Sequence, residues 1–324
     1  MEKQDAQPTI DATLLPTRCD WCPRRCGANR AAGEVGICGA DNTLRIARAA
    51  LHHWEEPPIS GKSGSGTVFF SYCPLRCIYC QNRHIALGDT GAAITLERLV
   101  EIFLELEKQG ALNLNMVTPT HYAPLIAEAI RKARSRGMGL PVVWNTSGYE
   151  TPEAIAALDG IVDVYLTDFK YADAAPARAY SHAADYPSVA HTALEAMVAQ
   201  VGTPQFDDYH GQTRLTRGVV VRHLLLPGHL NDSHTVVAML ASHFRGRVLV
   251  SLMNQYTPVI DPDGPTARQF PNLLLHPSSE EYELLLDYAD DLGLDEYFWQ
   301  DGEADRESFI PPFDMTGVVK ASPQ

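Results

Sequence analysis

Gly66-Thr-Val-Phe-Phe-Ser-Tyr-Cys73-Pro-Leu-Arg-Cys77-Ile-Tyr-Cys80-Gln-Asn82 is the stretch on which the reading of this chain turns. Thr67 to Tyr72 is a run of β-branched and aromatic residues bounded by glycine and proline, the pattern of a short buried strand. Three cysteines leave its C-terminal end with spacing Cys-x3-Cys-x2-Cys. Three thiolates can hold three irons of a [4Fe–4S] cube and leave the fourth iron without a protein ligand. A reactive metal needs such an open position, as catalytic zinc does. The competing reading is a zinc site completed by His84, four residues after Cys80.

The remaining cysteines, Cys19, Cys22, Cys26 and Cys38, all precede this loop, and none follows Cys80. Seven is an odd number, a poor basis for a disulfide framework; close spacing points to metal instead. Cys19-x2-Cys22-x3-Cys26-x11-Cys38 supplies four thiolates, and Gly27, Gly33, Gly36 and Gly39 allow the tight turns of a metal knuckle. Zinc and a fully ligated second iron–sulfur cluster both suit it, and full ligation favours zinc or another structural role. Arg24 and Arg25 stand beside these thiols, either to stabilise their charge or as solvated surface arginines.

The composition narrows the classes. With 45% hydrophobic residues in 324, the chain can bury a sizeable core. A net charge of −14 argues against duplex DNA and anionic membranes as partners. The longest apolar stretches, Val219–Val221 and Leu224–Leu226, are far short of the ~20 residues a bilayer span needs. Residues 1–8 have no apolar signal core, so the expected location is the cytoplasm, where thiols stay reduced.

Downstream, strand and helix signals alternate. Strands are expected over 67–72, 112–117, 141–146, 162–168, 218–225 and 248–253. Helices are expected over 96–109, with Thr95 as N-cap, and over 123–136. Others start at Thr151-Pro152, fill 174–201, run from Asn231 or Asp232 to about 244, and span the acidic segment 280–292. Thr203–Thr216 reads as a surface loop or a lid. Six βα units predict an α/β fold, a partial (βα)6 barrel, with an N-terminal cysteine-rich extension over residues 1–60 and the barrel over 61–324. Chemistry gathers at the carboxyl ends of such strands. There the sequence places Thr118-Pro119-Thr120-His121, Asn145-Thr146-Ser147, Asp168 with Lys170, and Arg222, in addition to the cysteine loop.

These segments resemble the radical S-adenosylmethionine (SAM) superfamily. More narrowly, they resemble its pyruvate formate-lyase activating enzyme-like branch with an N-terminal four-cysteine segment. Tyr79 before Cys80, Gln81-Asn82, Val117–His121, Asn145–Tyr149, Asp168-Phe-Lys170, Arg222–Gly228, Met253–Tyr256 and Pro312–Gly317 carry the resemblance, from Cys19 to Val318. It implies that Cys73, Cys77 and Cys80 ligate a [4Fe–4S] cluster whose open iron chelates SAM. Tyr79, Asn82, Thr118, Pro119, Thr120, His121, Asn145, Thr146, Ser147, Asp168, Lys170 and Arg222 would then be cofactor-binding residues. Many relatives have Gly-Gly-Glu where this chain has Thr118–His121, so backbone carbonyls or Thr118 and Thr120 must take over its contacts to the SAM amino group. Asp168 and Lys170 would meet the cofactor or form a plain ion pair. The implied activity is reductive SAM cleavage and hydrogen abstraction. It draws on an electron donor such as flavodoxin or ferredoxin and activates a glycyl radical enzyme. The alternatives are a radical SAM enzyme for a small molecule or peptide, and a zinc-stabilised binding module without redox chemistry.

Overall fold

The computed structural model describes residues 10–294, 296–300 and 310–319; residues 1–8, read above for a signal core, lie outside them. Among the described residues ten strands form the sheet: β1 (Leu44–His52), β2 (Ser65–Phe70), β3 (Ala92–Ile94), β4 (Leu114–Val117), β5 (Val142–Thr146), β6 (Val164–Asp168), β7 (Gln205–Asp208), β8 (Thr213–Leu224), β9 (Leu249–Met253) and β10 (Tyr297–Phe298). Their order is β10-β9-β8-β6-β5-β4-β2-β1-β3, with β7 paired to β8. From β2 to β10 the neighbours on this path are parallel; β1, β3 and β7 pair antiparallel. The fold is thus α/β with a mostly parallel sheet.

Helices cover the strands because their apolar positions recur every three to four residues. Leu96–Lys108 buries Leu99, Val100, Phe103 and Leu106, and its Thr95 cap accepts the Arg98 N–H at 3.0 Å. Ala123–Ser135 has Pro124 in its first turn, and Thr151 caps Pro152–Ala156. The stretch 174–201 divides into Ala174–Ser181 and Tyr186–Val201. Ser278 and Glu281 form a reciprocal capping box for Ser279–Asp291.

Three expectations are corrected. The helix Leu230–His243 is entered from His229, and Asp232 inside its first turn accepts the backbone N–H groups of Ala172 and Asp173. Thr203–Thr216 is largely a hairpin: β7 pairs with an extension of β8 that begins five residues before the expected Gly218. Arg214 grips Asp207 across it through two nitrogens, at 3.0 and 2.6 Å. The antiparallel strands β1 and β3 were not expected at all. β1 belongs to the same sheet as β2, with His52 opposite Ser65.

That register positions the site. The cysteine loop leaves the C-terminal end of β2, whereas Trp54-Glu55-Glu56-Pro57 follows β1 at the opposite end of the strands. Ile59 then packs on Val143, Val164, Leu166, Leu215 and Val220. No described helix is long and apolar enough to cross a membrane.

Candidate active site and cysteine knuckle

One cavity of about 390 Å³ is lined at one end by Cys73, Cys77, Tyr79, Cys80 and Asn82, and further in by Thr118, Asn145, Thr146, Ser147, Asp168, Lys170 and Arg222. The sequence reading therefore converges on one space. Burial raises all three thiols, Cys73 to about 11 and Cys80 to about 12. A low-dielectric wall disfavours free thiolates, which a metal cation stabilises. The Ser181 hydroxyl donates to Cys77 Sγ at 2.9 Å and lies 2.7 Å from the Tyr171 hydroxyl, which in turn is 2.7 Å from that of Tyr79. Three thiols lining one cavity, Cys77 buried and Cys73 and Cys80 half-buried, with a donor aimed at sulfur are the donor set an iron–sulfur cluster needs. His84 is no fourth ligand: its side chain is 82% exposed, lies 3.7 Å from Asp89 and does not line the cavity.

Deeper in, charges alternate. Lys170 Nζ lies 2.6 Å from Asp168 Oδ2, and Arg222 reaches Asp168 at 3.2 Å, Glu55 at 3.0 Å and the Asn145 side-chain oxygen at 2.7 Å. Asp168 and Arg222 are in register on β6 and β8, so the sheet itself sets their contact. Burial pushes the Asp168 carboxyl up, but Lys170 and Arg222 outweigh it and hold it low. The expected Asp168–Lys170 pair is present and extends into a network that includes Glu55, which sequence reasoning missed. Glu56 was missed too. It follows Glu55, lines the cavity at 8% exposure, and has one carboxylate oxygen buried without a hydrogen-bond partner. The paired Glu55-Glu56 before Pro57 was a visible signal, but only the unforeseen β1 brings it inside.

Thr118 lines the cavity at φ 56°, a conformation a β-branched residue rarely holds. Its N–H donates to the Asn145 carbonyl at 2.9 Å. Pro119, Thr120 and His121, also expected at the cofactor, do not line the cavity. Thr120 donates to Glu150 at 2.5 Å, and buried His121, pushed down to about 3 by burial and then by Arg30, meets the Ser71 carbonyl at 2.8 Å. The turn in the chain at Thr118 carries those side chains behind the wall.

The N-terminal cysteines form a compact knuckle against this wall. Each thiol accepts a backbone N–H from two residues further on: Trp21 at Cys19, Arg24 at Cys22, Ala28 at Cys26 and Ala40 at Cys38. The sulfurs of Cys26 and Cys38 each lie 3.4 Å from the point a Cβ on Gly36 would occupy. Among the described residues no three His, Cys, Asp or Glu side chains close as a shell for a single metal ion. Arg24 does not serve the thiols; it donates to the carbonyls of Pro74, Ser181 and His182. Arg76, from the cysteine loop, donates back to the Cys38 carbonyl at 3.0 Å. Gly39 makes that approach possible, since a Cβ there would sit 2.3 Å from the Arg76 guanidinium.

Residues 67–184, which take in most of β2, the cysteine loop and the βα units that follow, match the family model of the Radical SAM superfamily. That family implies a [4Fe–4S] cluster and SAM. An uncharacterized protein of Methanocaldococcus jannaschii is 26% identical over 288 residues, 86% of this chain and 75% of its own. The crystal structure of a radical SAM methyltransferase from Sphaerobacter thermophilus aligns with a TM-score of 0.50 at 14% identity, over 76% of this chain and 69% of its own. That likeness is one of fold.

Proposed function

We propose that this chain is a radical SAM enzyme in which Cys73, Cys77 and Cys80 ligate the cluster and SAM occupies the cavity beside them. The observation that carries this is the convergence of three thiols and the Asp168–Lys170–Arg222 network on one cavity at the carboxyl ends of parallel strands. When bound, the cluster and SAM supply a 5′-deoxyadenosyl radical by reductive S–C5′ cleavage. The chain's own residues orient and shield. Asn145, Thr146 and Ser147 offer polar contacts to the SAM carboxylate or ribose, and Asp168 and Lys170 present a fixed pair of charges. Tyr79, locked by its hydroxyl to Tyr171, walls off the cluster side. The six strands β2, β4, β5, β6, β8 and β9 would curve as a partial (βα)6 barrel, with the knuckle as an extension holding a second metal, zinc in our reading. Flavodoxin or ferredoxin is the donor class to test.

Two substrate classes follow. The sequence resemblance favours a partner protein whose backbone glycine loses a hydrogen. The cavity, about 390 Å³ and lined by Glu55, Glu56 and Arg222 as well as by the cysteines, favours a small molecule or peptide. Anaerobic reconstitution followed by dithionite should give 5′-deoxyadenosine from SAM, and Cys77→Ala should abolish it. Colourless, iron-poor protein after reconstitution would sink the reading. A glycyl-radical EPR signal on a partner protein would select the first substrate class. Metal analysis of a Cys73/Cys77/Cys80 triple alanine variant should still find about one zinc per chain.

A further inference from the structure

The inner end of the cavity has a feature that binding SAM at the cysteine end does not use. Glu55 is taken up by Arg222 Nη1 at 3.0 Å and by the side-chain amides of Asn115 at 2.9 Å and Asn145 at 3.2 Å. Glu56 has no such set. The Ser251 hydroxyl is its side-chain hydrogen-bonding neighbour, and its Oε2 has no partner among the described residues. Leaving a buried carboxylate oxygen unpaired is costly, because it gives up water without gaining a donor. The formal charges lining this part of the cavity are Glu55, Glu56 and Asp168 against Lys170 and Arg222, three negative and two positive. Lys170 and Arg222 contact Asp168 and Glu55, which leaves Glu56 without a contacting cation among the described residues, and burial raises its carboxyl although Arg222 acts against that. Aromatic side chains line the same cavity, His52, Trp54, Phe69, Phe298 and Trp299, and Phe298 is in register with Ser251, the hydrogen-bonding neighbour of Glu56. Burial keeps His52 neutral by lowering its pKa to about 4, so it does not answer the carboxylate.

A carboxylate beside aromatic faces is the recognition chemistry for a positively charged nitrogen, which bonds the one and is attracted by the quadrupoles of the others. We infer that Glu56 is a specificity-determining residue for the substrate, which carries an ammonium or guanidinium group seated against the free carboxylate oxygen, with its apolar body between the aromatic walls. The inference deepens the proposed function and rests on it. It also fixes an orientation. The cationic end lies at Glu56, beside Ser251, so the reacting C–H bond lies on the substrate's other side, toward SAM.

The test uses anaerobic, reconstituted protein with SAM and no reductant, so nothing turns over. Calorimetric titration compares phenethylammonium with two probes of similar shape, neutral 2-phenylethanol and anionic 3-phenylpropionate. We expect phenethylammonium to bind at least about tenfold more tightly than either, and Glu56→Gln to erase that preference. Equal affinities of the three probes for the wild-type protein would overturn the inference without any variant. So would an unchanged preference in a Glu56→Gln protein that melts at the wild-type temperature. Formation of 5′-deoxyadenosine by the same preparation after adding dithionite reports separately on the reading beneath it. Its absence would overturn the radical SAM assignment, whereas the probe affinities judge Glu56 alone.

Discussion

Arg24, between two knuckle cysteines, donates through Nε to the carbonyl of Pro74, between two cysteines of the loop, at 3.0 Å. Its Nη2 donates to the Ser181 carbonyl at 2.9 Å, and its guanidinium lies over the Tyr149 ring, 5.2 Å from the centroid. One side chain thus fastens the knuckle, the cysteine loop and the end of helix Ala174–Ser181. Charge-assisted bonds to carbonyls are worth more than neutral ones. Arg24→Ala should destabilise the protein by about 2 kcal/mol in anaerobic urea titrations. It should also lower the iron retained after gel filtration. Lysine keeps the charge but not the fork, so Arg24→Lys should recover only part of the loss.

Ser181 offers a finer test, because it touches sulfur without being a ligand. Hydrogen bonds to cluster sulfurs favour the reduced state and raise the potential. Ser181→Ala should therefore lower the cluster midpoint by roughly 40 mV, the one-electron equivalent of a bond worth about 1 kcal/mol. Tyr171→Phe, which loosens Ser181 but leaves its hydroxyl, should shift it less. An unchanged EPR-monitored redox titration in Ser181→Ala would place the hydroxyl away from the cluster sulfur.

His84 separates iron from zinc at the loop. Exposed and beside Asp89, it should be dispensable, and His84→Ala should retain wild-type iron content and SAM cleavage. Loss of metal in that variant would restore the zinc reading that the geometry disfavours.

How much of this was legible in the sequence depended on what each residue needed in order to be placed. The loop cysteines were legible because strand and spacing are local. The same holds for Thr95, Thr151 and Ser278, whose caps depend on residues no more than three positions away. Arg222 was found because strand ends collect chemistry. Glu55 and Glu56 were not, since their role depends on an antiparallel pairing that local patterning cannot specify. The knuckle's attachment was illegible for the same reason: Arg24 and His182 are 158 positions apart. Thr120 and His121 failed differently. They stand at a strand end as expected, but the backbone at Thr118 turns their side chains away.

The C-terminal segment shows a long-range dependence of the same kind. Thr316 accepts from Ala49 N–H and Met315 donates to Ala47, both at 2.9 Å, while Phe313 packs on Phe69 with ring centroids 5.4 Å apart. Gly317 has φ +73°, and a Cβ there would meet the Ala49 carbonyl at 1.9 Å. Gly317→Ala should cost about 2 kcal/mol and lower the melting temperature by a few degrees, with Ser or Val worse. An unchanged melting curve would mean that the strap contributes nothing to stability.

Glu150 should make stability depend on pH with an unusual sign. It is 3% exposed, receives the hydroxyls of Thr120 and Thr146 at 2.5 Å each, and burial raises it from 4.5 to about 7 despite those donors. Between these values the folded protein holds a proton that the unfolded chain has released. Stability from this group is therefore present below about pH 4.5 and is lost as pH rises toward 7, by about 3 kcal/mol in all. Buried His121, His223 and His52 are lowered to about 3, 4 and 4 and act the other way. The unfolded chain takes up their protons first, so their contribution grows as pH rises to about 6.5. The wild-type curve alone mixes the two. Glu150→Gln keeps an oxygen for both hydroxyls and removes the titration. The difference between variant and wild type in urea-unfolding free energy should therefore increase in the variant's favour by about 3 kcal/mol from pH 4.5 to 7. A difference that is flat across that range would show that Glu150 stays ionised in the folded protein and that the two threonine hydroxyls fully offset its burial.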